Sequence, residues 1–97
     1  MGKASESYSN NRSKILEISS RYPVENIRVF GSVLRGDDDE NSDIDLLVDA
    51  LPGVTLLDLG GLQVELQDLL GVRVDLVTPG DIPYKFRASV LRQARLL

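Results

Sequence analysis

From Asp43 to Val48 acidic and apolar residues alternate, with Ile44, Leu46 and Val48 on one side of an extended chain and Asp43, Asp45 and Leu47 on the other. Side chains alternate across a strand with a period of two, so this stretch reads as a strand with one apolar face and one face interrupted by charge. A sheet built around it must be covered on one side and left open to water on the other, which calls for helices on a single face. At 97 residues and 42% hydrophobic composition the chain has material for one modest core. Residues 1–97 are therefore expected to form a single domain.

The rest of the chain supplies the covers. Ile15, Leu16, Ile18 and Tyr22 follow helical spacing from about Asn10, with Ser9 or Asn10 as cap and Pro23 as stop. The polar, serine-rich residues 1–9 are expected to be disordered. Asn26–Phe30 reads as a short strand, broken by Gly31-Ser32 and followed by a brief helical turn through Leu34. Gly36–Ser42 is acidic, holds nothing that could pack, and is expected to be a solvated loop. Thr55–Leu70 reads as a helix opened by a Thr55-x-x-Asp58 capping pattern, with Leu59, Leu62, Leu66, Leu69 and Leu70 as its buried stripe and Gly71 as its stop. Val72–Val77 is a third strand, placing Asp75 opposite Val74 and Leu76. After the turn Thr78-Pro79-Gly80, Asp81 is expected to cap a last helix in which Phe86, Val90 and Ala94 recur every fourth residue. This order predicts an α+β fold of two layers, a short mixed β-sheet with helices packed on one face.

Composition narrows the chemistry. Eleven basic residues stand against 15 acidic ones, a net charge of −4, so no overall positive field exists to attract a nucleic-acid backbone. With no cysteine and no histidine, thiolate nucleophiles, soft-ligand zinc sites and imidazole acid-base catalysis are excluded. Any metal must be a hard ion held by oxygen. The sequence shows neither a secretory leader nor an apolar stretch long enough to span a bilayer, which predicts a cytoplasmic protein with no membrane partner.

Residues i and i+2 of a strand point the same way, about 6.5 to 7 Å apart, so Asp43 and Asp45 form a pair of converging carboxylates. Two like charges side by side disfavour each other's ionisation, and a divalent cation removes that penalty. Asp75 joins the same surface if its strand lies beside theirs. Gly31-Ser32, between a strand and a helical turn, lets backbone approach a ligand closely, and its free N–H groups and hydroxyl suit phosphate oxygens. Arg35 could steady a triphosphate, but pairing with Asp37–Glu40 or with the carboxylate site is the simpler role. Taken singly, Gly-Ser is an ordinary turn and Asp-x-Asp a solvated strand edge.

The joint spacing is more specific: Gly31-Ser32, ten intervening residues, Asp43-x-Asp45, then a strand-borne Asp75. It resembles the signature of the DNA polymerase β-like nucleotidyltransferase superfamily. The blocks GSVLRG, SDIDLLV and GVRVDLVTP are similar to those of the minimal nucleotidyltransferases, the antitoxins of HEPN/MNT toxin-antitoxin pairs. Leu34 stands where that family often has alanine. The resemblance implies that Asp43, Asp45 and Asp75 are catalytic and bind two magnesium ions. It implies that Gly31 and Ser32 hold the terminal phosphates of a nucleoside triphosphate, with Arg35 beside them. It also implies transfer of AMP from ATP, as substrate, to a hydroxyl of a small all-helical HEPN-domain partner in a hetero-oligomer. The alternative is a non-catalytic antitoxin that covers its partner stoichiometrically. An antibiotic-modifying transferase would need an acceptor-binding domain that 97 residues do not hold.

Overall fold

A computed structural model describes residues 2–97, which run as α1 (Lys3–Ser19), β1 (Val24–Phe30), α2 (Gly31–Arg35), β2 (Ile44–Ala50), α3 (Leu56–Leu70), β3 (Val74–Val77), a 3-10 turn (Pro79–Asp81), α4 (Tyr84–Gln93) and β4 (Arg95–Leu96). The four strands form one sheet in the order β3-β2-β1-β4. β1 is antiparallel to β2 and β4, while β2 and β3 are parallel, so the sheet is mixed. Ile44, Leu46 and Val48 of β2, Val29 of β1 and Val74 of β3 are buried with Ile15 of α1 and Leu62, Leu66 and Leu70 of α3 in one cluster. The apolar face of the alternating strand is thus covered by α1 and α3, as expected. Leu47 and Ile82 are buried outside that cluster, where the Pro79–Asp81 turn folds against β2 on the other face.

Local signals hold where the partner is a near neighbour. Thr55 and Asp58 form a reciprocal capping box, and Gly71 ends α3 in the left-handed region at φ 67°. Four expectations are corrected. The first helix begins at Lys3, seven residues before Asn10, and residues 2–9 are ordered rather than disordered; Met1 lies outside the described residues. Helix α1 is interrupted at Asn11 (φ −126°), so the run of weak helix formers at Ser9–Asn11 marks a kink, not a start. Second, the acidic loop does pack. Asp38 is buried and accepts hydrogen bonds from the Gly2 and Ser5 backbone N–H groups, both 3.0 Å, and from the Ser5 hydroxyl. It caps α1 from 33 residues away, satisfying donors that the helix start leaves free. Third, Asp81 does not cap the last helix: it closes a capping box with Thr78 around the short turn, and α4 starts after Pro83. Fourth, α4 buries no residue, and its Phe86 is 54% exposed.

The sheet's outer edge at β3 is guarded by side chains. Gln67 and Gln63, one helical turn apart on α3, accept hydrogen bonds from the backbone N–H groups of Val74 and Leu76 at 3.2 Å each. Those donors would otherwise be open to pairing with another chain. At the other edge the chain end adds β4, a strand that no periodicity foretold, and Leu97 donates its N–H to the Ile27 carbonyl. Among the described residues no helix is long and apolar enough to cross a membrane.

Candidate active site

The carboxylate face of the sheet carries the residues expected to act together. Asp43 stands at the entrance to β2, Asp45 inside it, and Asp75 in β3, where parallel register pairs Asp45 with Asp75 directly. On its other side Asp45 is in register with Phe30, the last residue of β1. Gly31 follows at once with φ 72°, and a Cβ built there would fall on the Asp45 carboxylate. Both requirements, a left-handed backbone and an absent side chain, select glycine at this position. The glycine and Asp45, joined in sequence by a loop, are therefore neighbours in space. Ser32 follows in the first turn of α2, on the same rim.

Electrostatics within the site centre on Asp45. Its carboxyl is pushed up to about 6, first by burial, then by the charges of Asp75 and Asp43, against the opposing pull of Arg35. Asp43 pairs with Arg73 at 3.8 Å on an exposed surface, a contact of little energetic weight. Arg35 pairs with Asp37 at 3.1 Å, the loop contact anticipated from sequence, while its charge opposes the upward shift of Asp45. Among the described residues no three Asp or Glu side chains are gathered into a ready-made cage for an ion. The charges of Asp75 and Asp43 both act on Asp45, and like charges so placed disfavour one another's ionisation. The donors of the three aspartates are oxygen alone, a set that fits a hard divalent cation and no soft one.

Sequence reasoning missed Asp38 altogether. It lies on the loop that links the Gly31-Ser32 turn to Asp43, and its bonds to α1 fix the middle of that loop. These bonds hold its carboxyl below the usual carboxylate range, the Ser5 hydroxyl foremost. No spacing rule points to it, because the partners are 33 and 36 residues distant.

A strand-borne carboxylate trio facing a glycine-serine turn on a mixed sheet with helices on one face defines a nucleotidyl-transferring class of protein. The chain belongs to the nucleotidyltransferase domain family, whose model matches residues 12–97, and it is a nucleotidyltransferase. It is similar to the protein adenylyltransferase MntA of Thermococcus cleftensis, 42% identical over 77 residues that cover 79% of this chain and 78% of the relative. A solved structure described as a minimal nucleotidyltransferase superposes with a TM-score of 0.86 at 42% identity, covering 100% of this chain and 97% of that one. A toxin-antitoxin complex with AMP-PNP superposes with a TM-score of 0.75 at 27% identity, covering 89% of this chain and 71% of its counterpart.

Proposed function

We propose that this nucleotidyltransferase is an antitoxin that moves AMP from ATP to a hydroxyl of a partner toxin, a small all-helical protein of the HEPN type. The single observation that carries the reading is the register of Asp45 with Asp75 beside Gly31, because it brings two carboxylates next to a turn that leaves room for phosphate. The similarity to an adenylyltransferase and to an AMP-PNP-bearing toxin-antitoxin complex supports the choice of nucleotide and partner.

Asp43, Asp45 and Asp75 would hold two magnesium ions, which when bound supply the positive charge that binds the triphosphate and stabilises the attacking and departing oxygens. The Gly31 and Ser32 N–H groups and the Ser32 hydroxyl orient the terminal phosphates. The acceptor oxygen attacks the α-phosphorus in line, the new O–P bond forms as the bond to the β-phosphate bridge breaks, and pyrophosphate leaves with the electron pair. In this reading Asp75, the most exposed of the three, takes the hydroxyl proton.

Intact-mass spectrometry of the partner tests this. A catalytic amount of the protein with magnesium and ATP is expected to convert excess partner into a form heavier by AMP units, which persists after the protein is removed. An unchanged partner mass, with neutralisation only at one-to-one ratios or above, would replace the reading with stoichiometric covering.

A further inference from the structure

Asp45 and Asp75 sit side by side in the sheet ladder, so strand pairing fixes their backbone. Asp43 lacks that support: it precedes the first residue of β2, and its side chain makes the weak, exposed pair with Arg73. What sets its direction is the turn that delivers the chain to it. Residues 39–42 close that turn on themselves. The Asp39 N–H donates to the Ser42 hydroxyl at 2.9 Å, the Asn41 N–H to the Asp39 carboxylate at 2.8 Å and the Ser42 N–H to the Asp39 carbonyl at 3.2 Å. These bonds shape the turn but join it to no other element. The tie to the rest of the molecule comes one residue earlier, at the buried Asp38, whose carboxylate accepts from the Gly2 and Ser5 N–H groups and the Ser5 hydroxyl.

The other end of this tie is equally fixed. Residues 3–10 are the part of α1 before the kink at Asn11, and the family model's match begins just after that kink, at residue 12. Ala4 and Tyr8 are buried in the core cluster, and the Ser7 hydroxyl donates to the Leu70 carbonyl at the end of α3, at 2.6 Å. Gly2 closes on the loop so tightly that a Cβ there would fall 2.6 Å from both the Asp38 carboxylate and the Asp39 carbonyl. Gly2 is also the N-cap residue of α1 and has no side chain to cap with, so the helix start takes its cap from the loop. A carboxylate holding three donors of one helix start cannot shift without leaving them unpaired, and the loop is bound to follow the helix. We propose that Asp38 is a positioning residue for nucleotidyl transfer, holding Asp43 at the entrance to β2 through the strap formed by residues 2–10, an inference that rests on the metal and nucleotide reading above. Groups that orient a metal-binding side chain from behind affect ion affinity without touching the ion.

Hydrogen exchange on the ligand-free protein and calorimetric titration with magnesium-ATP test this on the parent, Asp38→Ala, Asp38→Asn, Ser5→Ala and Thr55→Ala, at a temperature where all are folded. Thr55→Ala is the control, because it removes the α3 cap at the opposite end of β2 from Asp43 at a comparable cost in stability. Asp38→Ala is expected to bind magnesium-ATP ~10-fold more weakly. It should also lose exchange protection at the Ser42 and Ile44 N–H groups, while Leu46 and Leu47 in the centre of β2 keep theirs. Asp38→Asn, which keeps one acceptor oxygen, and Ser5→Ala, which removes one donor of three, should fall between. Ser5→Ala retains the carboxylate and is expected to fold even if Asp38→Ala does not. Thr55→Ala should bind as the parent does. Affinity of Asp38→Ala within about twofold of the parent would overturn the proposal. So would an equal loss in Thr55→Ala, which would trace the effect to stability alone. A parent that binds no magnesium-ATP would sink the transfer reading, and the tie to Asp43 would then be decided by exchange: unchanged protection at Ser42 and Ile44 in Asp38→Ala overturns it.

Discussion

Asp45 is ionised against its surroundings, half-buried and facing two further carboxylates, and this makes it the residue whose charge is easiest to test. Its pKa is raised from 3.8 to about 6, so the folded state holds the proton more tightly than the unfolded chain does. The sign follows: stability linked to this group is fully present below pH 3.8 and is lost as pH rises through about 6. Asp45→Asn should therefore stabilise the metal-free protein near neutrality. A wholly buried group with this shift would yield roughly 3 kcal/mol, but water reaches Asp45 and screens it, so about 1 kcal/mol is expected. Measured as the difference in Tm between parent and variant, the gain should be absent at about pH 4 and complete at about pH 7. A variant that melts below its parent at neutral pH would make Asp45 a structural residue. Gly31→Ala acts in the opposite direction. It forces an alanine into the left-handed region and drives its methyl into the Asp45 carboxylate, so a loss of about 1–3 kcal/mol and of nucleotide binding is expected. If Gly31→Ala binds ATP as the parent does, the close approach of glycine to carboxylate has no functional meaning.

The link between α1 and the acidic loop operates at the scale of elements. Asp38 replaces a local cap, and through it the loop between α2 and β2 is tied to a helix on the far side of the sequence. Ser5→Ala removes one of three donors to that carboxylate and should cost about 1 kcal/mol by chemical denaturation. Asp38→Ala removes the acceptor for all three and should cost more, with exchange protection lost at the backbone N–H groups of Gly2 and Ser5. Unchanged protection there would show that the helix start stands without the loop. This contact also shows where the sequence stops being legible. Thr55 with Asp58, and Gly71 after Leu70, complete their interactions within a few residues, and both were read directly. Asp38 with Ser5, and Gln63 and Gln67 with the β3 edge, join separate elements, so their spacing carries no periodic mark. β4 is two residues long, too short for any alternation to declare it. That Asp45 and Asp75 each stand opposite the apolar residues of their strands was legible because strand parity fixes it, whereas the Asp45–Asp75 register had to wait for the fold.

For the whole molecule, the proposed ion site would couple ion binding to folding, because a chain of this size is expected to melt in one cooperative step. Asp45 and Asp75 come side by side only in the folded sheet, so under the proposed function a divalent cation held there would bind that state and not the unfolded chain. Magnesium at about ten times its Kd should then add ~1.4 kcal/mol, which for a domain near 100 residues raises Tm by about 6–11 °C. The effect must depend on pH, since a protonated Asp45 offers the ion one fewer charged oxygen and leaves two aspartates to hold it. At about pH 7.5 the rise should be full, and at about pH 5, below the pKa of Asp45, it should largely disappear. Asp45→Asn should lose the rise at both values while keeping its higher baseline, which separates loss of the ion from loss of the fold. Calorimetric scans in excess EDTA and in magnesium decide the matter. An equal rise at both pH values, or a rise that survives in Asp45→Asn, would place the ion somewhere other than this face of the sheet.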